Sequence, residues 1–337
     1  GFVGRDDDQW VSSQDLLGGS RRSPVEFDAV VLAVGDGTAS LTATGWSHGV
    51  YAEVRYSMRA DAPQRLFVSK RIRRVDDEAK AFGVYTPVTF NYQSMETFVL
   101  SGTDPAKSNG FRQEEFSERG PTAFGSAARD ADTIVLLAPP DSAVPIAYGW
   151  RLVGARRVGA DGGDVDLPRY ALVDWGAAAF LVTAEDYLLG ERHPLGMVQL
   201  LQVARMGLDA GEELRIEEEI LVGARGDVAG ITDQIHAQAP QVRGVVRGLG
   251  AVLHVDRSDG VPFTHVVPQA DGTFAFRAPA GAYTLRLRAP GGIEEERAFT
   301  VAADATDLGT IALPAPARVR LPRGEPVRLL FRGIDGT

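Results

Sequence analysis

Cysteine is absent from the sequence, which excludes disulfides and thiolate-held metal ions. Its absence leaves the redox compartment open, since exported and internal chains alike can do without it. Long apolar runs are missing as well, and no window reaches the ~18 apolar residues that a membrane-spanning helix needs. The first ten residues, GFVGRDDDQW, hold no basic segment leading into an apolar run, so no signal peptide is expected in them. Positive charge is in deficit. Thirty-five Lys and Arg face 45 Asp and Glu, for a net charge of −10, which argues against a nucleic-acid partner. The short basic cluster Arg71–Arg74 reads as the solvated face of a strand. Catalytic signatures are lacking too, with no G-x-S-x-G elbow, no P-loop and no G-x-G-x-x-G after a strand. The histidines are His48, His193, His236, His254 and His265, and no two have the spacing of an H-x-H or H-E-x-x-H metal motif.

What is present is a β pattern carried by 337 residues, enough for two or three domains. The most specific stretch is Asp271–Arg288, DGTFAFRAPAGAYTLRLR. Phe274 and Phe276 alternate with Ala275 and Arg277, and Tyr283, Leu285 and Leu287 alternate with Thr284, Arg286 and Arg288. Asp271-Gly272 and Pro279–Gly281 supply turns, so the stretch reads as a hairpin of a small β-sandwich. Val50–Met58 alternates as cleanly, with Ala52, Val54 and Tyr56 on one side and Tyr51, Glu53 and Arg55 on the other. Leu66–Val75 and Phe27–Val34 read as strands, while Pro87 within Phe82–Phe90 suggests an edge or a bulge. Glu212–Val222 reads as a strand entered through an Asp-Ala-Gly turn, despite its helical propensity. Gly102–Ala128 is a long polar, Gly-rich insertion of the kind that lies over binding faces. The one firm helix is Asp227–Gln238. Asp227 can cap it, Val228, Ile231 and Ile235 share a face, and Pro240 closes it.

Gln241–Leu313 resembles the carboxypeptidase-regulatory-like, transthyretin-related family, through VRGVV, the DGTFAFRAPAGAYTLRLRAPG core, FTV and LGTIAL. Val25–Gln238 is similar to the β-supersandwich of galactose-mutarotase-like domains. VYAEVRYSM, LFVSKRIRRVDDEAKAFGV and DAGEELRIEEEILVGARGDVAGITDQI carry that likeness. The order of the two units resembles the N-terminal region of bacterial PHP-type (CehA/McbA-like) metallohydrolases, in which a catalytic domain follows. The resemblance implies an all-β chain in five parts. Residues 1–24 are a partly ordered lead-in, 25–226 the supersandwich, 227–240 a bridging helix, 241–315 a small Ig-like or transthyretin-like sandwich, and 316–337 C-terminal strands or a linker to a missing domain. The H-x-H motif that opens the family's catalytic domain has no counterpart here, so the chain is expected to be the non-catalytic half.

The residues that could do chemistry are few. Asp174, Glu185, Asp186, Glu191 and His193, with Trp175, form the one local gathering of carboxylates, a histidine and an aromatic. Of these, Asp174, Glu185 and His193 are the catalytic candidates, since mutarotases pair a Glu base with a His acid and glycosidases use two carboxyls. A loop-structuring role is the commoner fate of such residues. His254 with Asp256 is expected to be a solvated strand end, and Asp6–Asp8 a solvated acidic stretch, so neither metal nor cofactor is expected. Aromatics able to stack on a sugar are Trp46, His48, Tyr51, Trp150 and Trp175, with Tyr85 and Tyr92 behind them, although most aromatics in β proteins are core. The expected function is a structural and interaction region of a larger bacterial protein, periplasmic, secreted or envelope-associated, whose remaining part is a metal-dependent hydrolase. The alternative is a carbohydrate-binding or mutarotase-like protein using the concave face of the first domain. Protein binding through edge strands of the small sandwich is compatible with the first.

Overall fold

A computed structural model describes side chains for residues 27–46, 51–75, 98, 100, 132–138, 145–167, 208–248, 250–290 and 294–313. For further strands between residues 2 and 208 it describes the backbone, and the other residues lie outside the description. The chain is all-β, with one short helix among the described residues. A nine-stranded antiparallel sheet runs in the order Glu96–Ser101, Ala131–Leu137, Ala147–Val158, Glu213–Gly223, Ala62–Arg74, Val50–Arg59, Thr38–Ser47, Phe27–Gly35. The short strand Asp164–Asp166 lies beside Ala147–Val158. A second large sheet carries the backbone path Phe2–Asp6, Gln9–Ser13, Lys80–Phe90, Ala178–Thr183, Arg169–Asp174, Ala128–Arg129. Among the described residues, no helix is long and apolar enough to cross a membrane.

Cross-strand partners in an antiparallel sheet share a face, so the register of the nine-stranded sheet sorts its side chains. Ile134, Trp150, Ile216, Ile72, Ala52, Val54 and Ala43 fall on one face and are buried. That face also holds an ion pair, Lys70 Nζ to Glu218 Oε2 at 2.8 Å. Glu213–Gly223 is a strand because both its edges are paired, with Ala147–Val158 and with Ala62–Arg74. Two ladders outweigh the helical preference of its glutamates. Of the two settings expected for Pro87, an edge or a bulge, the edge is corrected: Lys80–Phe90 lies inside its sheet, and the proline falls at an interruption of one ladder. The proline faces Phe180 on one side, and on the other it falls in the interval between Gln9–Ser13 and Leu16–Gly18, neither of which pairs with it. Its missing N–H therefore breaks no ladder there.

The helix is Ala229–Ile235, shorter at both ends than its sequence pattern. Asp227 Oδ1 accepts the Gly230 N–H at 3.0 Å and so closes the first turn. The helix lies against the second face of the nine-stranded sheet, where Val228 and Ile231 join Phe98, Val135, Leu137, Ala147 and Leu221. A side chain at Gly223 would collide with the Gly230 backbone, its Cβ falling 2.8 Å from the carbonyl oxygen. Glycine is what lets sheet and helix approach. On its other side the helix is bonded into the small sandwich. Asp233 Oδ1 accepts the Arg277 N–H at 2.6 Å, Thr232 and Thr264 hydroxyls meet at 2.7 Å, and Asp227 Oδ2 accepts the Val267 N–H at 3.0 Å.

Residues 241–312 make two sheets. Three strands run Thr273–Arg277, Gln241–Arg247, Thr306–Ala312, and four run Pro262–Val266, Val252–Arg257, Gly281–Ala289, Ile293–Val301. The expected hairpin of Phe274–Arg277 with Tyr283–Arg288 is not formed. Pro279–Gly281 instead carries the chain from one sheet to the other, so Phe274 and Phe276 meet Tyr283, Leu285 and Leu287 across the core between them. Alternation fixes which side chains point inward and leaves the pairing partner open. His254 and Asp256 are also corrected, since they are not a solvated strand end. His254 faces His265 across the strand pair, Asp256 is buried against Arg286 at 2.6 Å, and Phe98 stacks on His265 at 5.5 Å.

Candidate functional site

The helix and the small sandwich cover one end of the second face of the nine-stranded sheet. Farther along, no described element covers the face. One row across it is Trp46, Tyr51, Arg73 and Glu213, each directly opposite the next on four adjacent strands. At about 4.8 Å per strand the row spans roughly 14 Å. Trp46 is 57% exposed, and its ring meets Tyr51 edge to face with centroids 5.0 Å apart. The Arg73 guanidinium lies over the Tyr51 ring, 5.1 Å from its centroid, and its Nε is 3.9 Å from Glu213. Glu213 is a hub. Arg71 donates two hydrogen bonds to it, at 3.2 and 3.0 Å, and Arg215 a third at 2.5 Å. Burial works against its ionisation, but the bonds from Arg71 and Arg215 outweigh it and hold the carboxyl below the usual glutamate range. The same bonds hold the Arg71 guanidinium protonated beyond its ordinary value. The result is an aromatic end joined to a charged end on a rigid sheet.

A cleft of about 420 Å³ lies where the sheet meets the small sandwich, lined among others by Asp132, Thr133, Arg151, His236, Phe263 and Tyr283. A wider groove of about 660 Å³ adjoins it at His236, against Arg59, Arg65, Phe67 and Gln234. Burial, and then the positive charge of Arg151, depress the His236 pKa against the pull of Asp132, so the imidazole is neutral at pH 7. Arg151 shares Glu219 with Arg65, at 3.4 and 3.6 Å, and the Tyr283 hydroxyl donates to the Pro279 carbonyl. Charges in this cleft are therefore largely paired with one another. Among the described residues no group of three or more His, Asp and Glu could hold a metal ion.

The residues singled out in the sequence fare differently. Trp46 and Tyr51 come together on the open face. Trp150 is 1% exposed, in the core on the opposite face, and its buried indole offers a ligand nothing to stack on. The backbone of Asp174 ends the strand Arg169–Asp174. The Asp174 side chain, Glu185, His193, Glu191, His48, Trp175 and Tyr92 lie outside the described residues, as do the 102–127 insertion and residues 314–337. Arg73, Glu213, Asp132, Arg151 and His236 were not anticipated as a group. They are scattered over more than 160 positions of sequence, and strand pairing alone brings Arg73 to Glu213. The one local signal was parity, which puts Tyr51, Glu53 and Arg55 on one side of their strand.

No protein-family model matches the sequence, and no curated protein matches it. Solved structures that resemble it share little sequence. The galactosidase domain of the alpha-galactosidase–sucrose kinase AgaSK is 12% identical over 66% of this chain and 31% of its own, with a TM-score of 0.40. The GH36 alpha-galactosidase AgaA of Geobacillus stearothermophilus is 11% identical over 68% of this chain and 30% of its own, with a TM-score of 0.32. A galactose mutarotase-like protein from Lactobacillus casei is 10% identical over 63% and 85%, with a TM-score of 0.32. The chain spans about a third of the length of the alpha-galactosidases it matches.

Proposed function

We propose that the chain is a non-catalytic carbohydrate-binding region that takes its ligand on the open face of the nine-stranded sheet. The observation that carries this reading is the row Trp46–Tyr51–Arg73–Glu213. Trp46 is a large, amphipathic ring left more than half exposed. An exposed indole offers an apolar face to the C–H side of a pyranose. Arg71, Arg73 and Arg215, held in place by Glu213, offer guanidinium donors to hydroxyls or to a uronic-acid carboxylate. Because these groups sit on paired strands, ordering them costs little on binding. The resemblance to PHP-type metallohydrolases adds context: such a region would hold a glycan near a hydrolase domain of the same protein.

A glycan array followed by calorimetric titration tests the reading. The wild type is expected to bind a neutral or acidic glycan, and Trp46→Ala to weaken it at least roughly tenfold, about 1.4 kcal/mol. Arg73→Met should weaken an acidic glycan more than a neutral one. Trp46 is exposed, so its loss leaves the fold intact, and equal binding by Trp46→Ala would end the proposal.

A further inference from the structure

The strand Phe27–Gly35 ends the nine-stranded sheet, and among the described residues its one pairing is with Thr38–Ser47. Its middle reads Ala-Val-Val-Leu-Ala-Val. Val30, Val31, Leu32 and Val34 are between 59 and 77% exposed. Register puts Val30, Leu32 and Val34 on the face that elsewhere forms the buried core, opposite Ala43, Leu41 and Ala39, with Met58 one strand further in. Leu41 and Met58 are exposed as well. The core face therefore runs out, still apolar, to an open edge.

Edge strands in soluble proteins are normally protected by lysines, prolines, bulges or short length. This one spans nine residues, and from Ala29 to Val34 it has no charge and no proline; its bulge and its one acid, Asp28, sit at its start. A sequence of that kind left bare pairs with other strands.

We propose that the edge strand pairs with the same strand of a second copy, antiparallel about a two-fold axis through Val31, to make a homodimer with one continuous sheet. The strand is its own complement. That register sets Val30 against Leu32, Ala29 against Ala33 and Asp28 against Val34, so no like charges face each other across the axis. A chain of net charge −10 meets its copy here without acid opposing acid. Val30, Leu32 and Val34 run on into Leu41 and Met58, a contiguous exposed apolar patch of the kind that marks an interaction site. Trp46 lies on the opposite face of the sheet, so the dimer leaves its row free and sets two such rows on one side.

Sedimentation across a concentration series tests the pairing. The wild type is expected to form a dimer, and Leu32→Lys to remain monomeric with an unchanged urea midpoint. A second test uses the absence of cysteine. Residues on the axis face their own copies with Cβ atoms within disulfide reach, so Val31→Cys should oxidise to a covalent dimer. Val34→Cys, facing Asp28, should do so far more slowly. A wild type that stays monomeric throughout, a dimer that survives Leu32→Lys, or equal cross-linking at both cysteines would overturn the proposal.

Discussion

Lys70 and Glu218 show what a single side chain costs in this fold. Lys70 is 2% exposed, and its ammonium meets Glu218 at 2.8 Å on a face that, apart from this pair and Arg74, is mostly apolar. An ion pair taken out of water is weak evidence of stability, yet leaving one partner alone is expensive. Lys70→Ala is expected to destabilise the chain by about 3–5 kcal/mol in urea unfolding. Glu218→Ala should cost a similar amount. The double variant should cost less than the sum, with a coupling of roughly 0.5–3 kcal/mol; strictly additive losses would show that the two charges are held independently. Parity made part of this readable, since Lys70 falls in step with Val68 and Ile72. The partner was not readable, because Glu218 lies 148 positions away and only the Ala62–Arg74 to Glu213–Gly223 register brings it near.

At the scale of elements, the decisive contact is the helix Ala229–Ile235 against the sheet. Gly149 and Gly223 lie beneath it, and a Cβ at either position would fall under 3 Å from helix atoms. The obstacle differs. At Gly149 it is the Cγ2 methyl of Ile231, 2.6 Å away on a fully buried β-branched side chain with little freedom about χ1; at Gly223 it is the Gly230 backbone. Gly223→Ala and Gly149→Ala are therefore each expected to lower stability by about 1–3 kcal/mol through forced displacement of the helix. Thermal unfolding of the two variants checks this, and an unchanged midpoint for either would contradict it. The helix itself was legible from Asp227, the Val228–Ile231–Ile235 spacing and Pro240. Which surface it docks on was not, because a glycine in a strand does not reveal what approaches it.

For the whole molecule, the buried titratable groups set a pH dependence. Burial, then the charge of His265, Arg288 and Arg286, brings His254 down to about 3. Burial brings His265 down to about 4, with Asp227 opposing. Burial pushes Asp233 up to about 6, against its bonds from Arg277 and Arg225. Between pH 6 and 4 the folded chain keeps both imidazoles neutral, whereas the unfolded chain protonates them. Asp233 has the opposite sign, since the folded form holds a proton that the unfolded form has released. Two protons taken up against one given off leave a net uptake of about one on unfolding from these three groups, and His236, also depressed by burial, adds to it. Stability should then decrease as the pH is lowered through this window, by about 1.4 kcal/mol per unit or more. Urea midpoints at several pH values measure the slope. His265→Phe should flatten it, and a stability that rises on acidification would show the histidines to be solvated.

Composition and alternation by themselves determined that this protein is built of β-strands, which positions of Val50–Met58 and Phe274–Leu287 face a core, and where the helix after Asp227 lies. Those properties are local: a period of two, a cap and a proline act within a few residues. Tertiary structure decided the rest. It sent the strands either side of Pro279–Gly281 to different sheets, buried Trp150 while leaving Trp46 exposed, and aligned Tyr51 with Arg73 and Glu213. Each of these depends on which strands are neighbours, and main-chain hydrogen bonds form with any strand that offers a free edge, so the choice rests on packing across the whole chain.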